Sequence, residues 1–129
     1  MTKRILAIDD TASLKDTLSG YLQVSDFFVA GVAGAAQALD VLNTENFDVV
    51  IANNRTADFS GFDLIKYVSE LERRPSVILV ADEDPRLRQE IRDQAMAYSV
   101  NLLGVLSSPI SSDLLFSALS EVANLGGSD

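Results

Sequence analysis

The stretch Phe47-Asp48-Val49-Val50-Ile51-Ala52-Asn53-Asn54 decides the fold. Its apolar residues stand at consecutive positions. Strict alternation would mean a strand with one wet face. A short continuous run means a strand covered on both faces, as in a parallel sheet between helices. The asparagines end the run abruptly, at the carboxyl end of the expected strand.

Outward from Phe47–Ala52 lie four more such segments, Arg4–Ile8, Phe27–Val32, Ser76–Ala81 and Leu102–Leu106. Between them the apolar spacing changes to that of helices. Ala35, Ala38, Leu39 and Leu42 fall at i, i+3, i+4 and i+7, and Leu115, Ala118, Leu119 and Val122 repeat the pattern. Leu14, Leu18, Tyr21 and Leu22 mark a first helix. Leu64, Ile65, Val68 and Leu71 mark a third, and Leu87, Ile91 and Ala95 a fourth. Asp84 followed by Pro85 is a helix start, Ser111 is placed to cap the last helix, and Gly126 to stop it. The order βαβαβαβαβα predicts a doubly wound α/β domain with a parallel sheet.

Composition narrows the chemistry. At 129 residues, 47% apolar and 22% charged, the chain fits one ordinary globular domain. It has no histidine and no cysteine, which removes the commonest metal ligands, the commonest acid–base group and any disulfide. A net charge of −9 argues against nucleic-acid binding by this domain. No apolar run approaches the roughly 18 residues of a membrane span. A cytoplasmic location is expected.

Open α/β sheets bind ligands beyond the carboxyl ends of their strands. Those ends are Asp9-Asp10, Asn53-Asn54, Ala81-Asp82 and Ser107-Ser108-Pro109. Adjacent carboxylates at a strand end suit a hard cation such as Mg²⁺. Gly31 and Gly34 do not complete a phosphate-binding glycine pattern, because Val29 stands where another Gly is needed. Arg88 and Arg92 are expected on a solvated face of the fourth helix, pairing locally with Glu90 and Asp93.

Read together, these ends resemble the receiver domains of two-component response regulators. Arg4–Asp10 resembles their first strand and acidic pair, and Phe47–Asn53 their third strand. Ala38-Leu39, Gly61 and Ser108-Pro109 match further family positions. The resemblance implies a flavodoxin-like sheet of order 2-1-3-4-5 and a receiver domain over residues 1–125, with 126–129 as a flexible tail. It also implies a Mg²⁺ held by an acidic pair, an aspartate that takes a phosphoryl group, and a hydroxyl and a lysine on the phosphate. Only Asp9 and Asp10 match that set. Asn53 occupies the acceptor position, Val80 the hydroxyl position, Ser108 the lysine position and Val105 that of a switch aromatic. An amide nitrogen is delocalised and the Asn53 side chain carries no charge, so it cannot form an acyl phosphate. The resemblance therefore implies a non-enzymatic pseudo-receiver in phosphorelay signalling, acting by protein–protein contact. The face of the fourth helix, fifth strand and fifth helix would dock a signalling partner, an output domain or a second copy. No resident cofactor is expected, or at most weak Mg²⁺ on Asp9 and Asp10, with Arg55 as an internal cation in its place. The alternatives are phosphorylation of another acid, Asp10 or Asp58, and a small-molecule-sensing module on the same fold.

Overall fold

The computed structural model describes residues 3–9, 13–22, 27–54 and 60–127. Strands and helices alternate throughout: β1 Lys3–Ile8, α1 Ser13–Leu22, β2 Phe27–Val32, α2 Ala35–Thr44, β3 Val49–Asn53, α3 Gly61–Ser69, β4 Ser76–Val80, α4 Pro85–Ala97, β5 Leu102–Leu106 and α5 Ser112–Gly127. The strands form one parallel sheet of order β2-β1-β3-β4-β5. The expected doubly wound architecture and strand order are both present.

The consecutive apolar residues of the strands feed two cores, one on each face of the sheet. Val50, Ala52, Val77 and Leu79 point to the side of α2, α3 and α4, where they meet Ala38, Leu42, Leu64, Val68 and Ile91. Val49, Ile51, Ile78 and Val80 point to the side of α1 and α5, against Leu14, Leu18, Leu115 and Leu119. Residues 49 to 52 are all 0% exposed, which is why this strand lacks a polar face. β5 slips by one residue, so that Val77 pairs with Leu102 and Ile78 with Gly104. Leu103 is the extra residue of this bulge. Gly104 lies under α5, where an added Cβ would stand 3.8 Å from that of Ala118.

Local chemistry sets the helix starts. The Asp84 carboxylate accepts the Arg86 N–H at 3.0 Å, with Pro85 at the first position of α4. Ser111 caps α5 through the Leu114 N–H at 3.4 Å. Ser60 and Asp63 form a reciprocal capping box on α3.

Some boundaries differ from the sequence reading. β3 begins at Val49, because the Asp48 side chain accepts the Arg4 N–H at 2.7 Å. β4 ends at Val80, leaving Ala81 in the following loop. α5 runs to Gly127, one residue beyond the expected stop at Gly126. Tyr21 and Leu39 are 36% and 37% exposed, at the margins of their helices' apolar stripes. Among the described residues no helix is long and apolar enough to cross a membrane.

Candidate functional site

The carboxyl ends of β1, β3 and β4 converge with the β5–α5 loop. Asp9 directly follows β1, and its N–H extends the ladder to the Val32 carbonyl at 3.1 Å. Its side chain is buried, 5% exposed. Oδ2 accepts the Leu14 N–H at 3.1 Å and the Ser13 hydroxyl at 3.2 Å. The carboxylate thus satisfies donors at the start of α1, where a helix leaves N–H groups unpaired and favours negative charge.

Asn53 is the last residue of β3 and is half-buried. Strand alternation places it on the α1 and α5 side, with Val49 and Ile51. Its register partner on β4 is Val80, 5% exposed. Asp9, Thr17, Tyr21, Asn53, Val80 and Ser108 line a cleft of about 230 Å³. Tyr21 closes one end by donating its hydroxyl to the Ile110 carbonyl at 2.9 Å. The Ser108–Pro109 peptide bond beside it is cis. A second cavity of about 180 Å³ lies on the other flank of Asn53, against Asn54, Ala81, Asp82 and Leu87.

The structure therefore brings Asp9, Asn53, Val80 and Ser108 together as the sequence reading grouped them. Val105 stands apart, 5% exposed in the core beneath α4. Asp10, Arg55 and Asp58 lie outside the described residues, so the second acid, the internal cation and the alternative acceptors go with them. Gly31 belongs to β2, where its missing Cβ makes room for the Lys15 side chain. An added Cβ would stand 2.7 Å from Lys15 Cδ.

Among the described residues, the cleft holds little of what phosphoryl transfer needs. That chemistry relies on charge placed around the equatorial oxygens. Ser108 supplies a neutral dipole. Neither Val80 nor Ala81 can donate from its side chain, and Asp82 adds negative charge next to them. Mg²⁺ asks for near-octahedral oxygen ligands. The described residues offer it one carboxylate, already accepting two hydrogen bonds through Oδ2, together with neutral oxygens. Among the described residues no group of three or more Asp, Glu, His or Cys could hold a metal ion.

Two features were not foreseen. Asn54 is buried, 8% exposed, and joins three elements: its N–H bonds the Val80 carbonyl at 2.8 Å and its carbonyl accepts the Gly61 N–H at 2.7 Å. Arg88 was expected to pair along its own helix. Instead its guanidinium reaches β5, donating to the Val105 carbonyl at 2.7 Å and to the Ser107 hydroxyl. Unpaired carbonyl and hydroxyl acceptors at the end of an edge strand draw it there more strongly than a solvated carboxylate does. Asp93 is bonded by Gln89 at 2.8 Å, and Arg92 is exposed. The Ser60-x-x-Asp63 signature could have been read from sequence; nothing local signals the reach of Arg88.

The family model of the response regulator receiver domain matches residues 5–120. Among curated proteins, the rice two-component response regulator ORR5 is 31% identical over 77 residues, covering 59% of this chain and 58% of that protein. The regulatory protein VirG of Rhizobium rhizogenes is 24% identical over 107 residues, covering 83% of this chain and 42% of VirG. The match therefore spans less than two-thirds of these relatives' own length. Among solved structures, the receiver domain of an HD domain-containing protein from Pseudomonas fluorescens Pf-5 superposes with a TM-score of 0.82 at 21% identity, over the whole of both chains. The chemotaxis response regulator CheY4 of Vibrio cholerae superposes with a TM-score of 0.78 at 23% identity, over 95% of this chain and 99% of that one. With the sheet order, the register and the strand-end cleft already in place, the chain belongs to the response regulator receiver family of two-component signalling.

Proposed function

We propose that this receiver domain signals without phosphorylation at its acceptor position, by presenting a fixed surface to a protein partner. The observation that carries the reading is Asn53, set at the end of β3 in a cleft where Val80 and Ser108 supply neither a phosphate-binding donor in register nor a cation. The domain is then a cytoplasmic, non-catalytic module with no resident metal. Its docking face comprises α4, β5 and α5, and the Arg88 clasp supports a single conformation there. Arg92 is exposed on that face, Met96 is 80% exposed and Leu114 57% exposed, a cationic and apolar combination suited to an acidic partner with an apolar anchor.

Incubation with acetyl phosphate and Mg²⁺, followed by intact mass, tests the first half. No phosphoryl adduct is expected. A stoichiometric adduct would overturn the reading, and peptide mapping would then assign it to Asp10, Asp58 or elsewhere. Thermal shift with beryllofluoride and Mg²⁺ tests why the site is silent, since a ligand that binds only the folded state raises the melting temperature. Asn53→Asp alone should show no shift, whereas Asn53→Asp with Ser108→Lys should show one. A full response from the single variant would mean that the cleft lacks only its nucleophile.

A further inference from the structure

The two edge strands of the sheet are finished differently. On β5 the Leu106 carbonyl turns inward to the Ala81 N–H at 2.8 Å, so the Val105 carbonyl faces outward. Arg88 occupies that outer carbonyl at 2.7 Å, and the bulge at Leu103 bends the strand. β2 has neither device. Its register with β1 is continuous from Phe27 to Val32, and these six residues include no proline and no charge. The Val32 carbonyl turns inward to the Asp9 N–H at 3.1 Å, so alternation turns the N–H and C=O groups of Phe27, Val29 and Gly31 outward. Among the described residues β2 pairs with β1 alone. Phe28 is 51% exposed on the α2 side, and Gly31 is exposed on the α1 side.

The α1 side of this edge is basic, in a chain of net charge −9. The Lys15 side chain runs across Gly31, where an added Cβ would stand 2.7 Å from its Cδ. Lys3 is in register with Phe27 and shares its face of the sheet. Among the described residues neither lysine has a carboxylate partner, whereas Arg4 is taken by Glu45 at 2.6 Å.

We infer that the outer edge of β2 receives an extended segment of a partner protein, added as a further strand, in which acidic and apolar residues alternate. Its main chain bonds Phe27, Val29 and Gly31, its acids meet Lys15 and Lys3 on the α1 side, and its apolar side chains cover Phe28. Gly31 permits the close approach because it brings no side chain of its own. Charge opposes a second copy as the occupant. Paired antiparallel about Val29, it would set Lys15 of one chain beside Lys3 of the other, with no acid on β2 to offset them. This edge is the one opposite the α4–β5–α5 face, and the inference does not rest on the Asn53 cleft.

The probe is the peptide acetyl-Glu-Val-Glu-Val-Glu-Val-amide, titrated at millimolar concentration into the full chain and followed by amide NMR and hydrogen exchange. In the free domain Phe28, Ala30 and Val32 should exchange slowly, and Val29 and Gly31 fast. The peptide should protect Val29 and Gly31 and leave residues 102–106 unchanged. The same peptide with lysine for glutamate should bind at least about fivefold more weakly, and Lys15→Glu should reverse the order of the two. N-methylation of the three glutamates, and separately of the three valines, should abolish binding in one case and preserve it in the other, since alternate N–H groups face β2. No protection by the glutamate peptide, equal binding of the two peptides, or binding by both methylated forms would overturn the assignment. So would protection of Val29 and Gly31 that grows with protein concentration alone, since a second copy would then hold the edge.

Discussion

Gly61 stands where the backbone has no room for a methyl group. An added Cβ would lie 2.4 Å from Asn54 Oδ1 and 2.7 Å from Leu79 Cδ1. Asn54 Oδ1 is buried and Leu79 is 0% exposed, so the methyl could enter only by displacing packed side-chain atoms. Gly61→Ala should therefore lose about 1–3 kcal/mol of stability, read from urea unfolding, although alanine is the better helix former. The glycine was legible in the sequence as a family position, but its reason was not: the residue that excludes the methyl is buried only once β3, β4 and α3 have met. The same holds across the cleft. Asn53, Val80 and Ser108 could be placed from strand ends alone. The commitment of the Asp9 carboxylate to the start of α1 depends on how the helix enters, which apolar spacing does not encode.

Among the elements, α4 shows how far periodicity reaches. Leu87, Ile91 and Ala95 gave its apolar face, and Asp84 with Pro85 its first turn. What periodicity misses is lateral. Arg88 sits on the flank of that face, and only the position of β5 decides whether it meets solvent or a carbonyl. Arg88→Ala should cost about 1–2 kcal/mol, because its bonds are charge-assisted and part-buried. It should also speed hydrogen exchange in the first turns of α4 while leaving α1 unchanged. An unaltered exchange pattern would show that the clasp does not hold the helix. The bulge in β5 is a second lateral feature. Leu102 through Leu106 reads as one apolar run, and nothing in the run marks Leu103 as the extra residue.

For the whole molecule, the continuous apolar runs were sufficient to give the layers, since a strand buried on both faces requires helices above and below. The strand order came from resemblance, not from the runs. The acidity acts at this scale too. With ten basic and nineteen acidic side chains, self-repulsion opposes compaction, so the melting temperature should rise by about 2–5 °C between low and physiological salt, measured calorimetrically. A flat response would place the excess charge too far apart to interact. One bond then bears on how the domain is made. The Tyr21 hydroxyl meets the Ile110 carbonyl across 89 residues of chain, and this contact closes the cleft. A ribosome adding about 5–20 residues per second needs roughly 4–18 s to travel between those two positions. During that interval the first wall exists and the second has not been synthesised. Recognition that needs both walls therefore cannot precede synthesis of Ile110, so the cleft is a late product of translation.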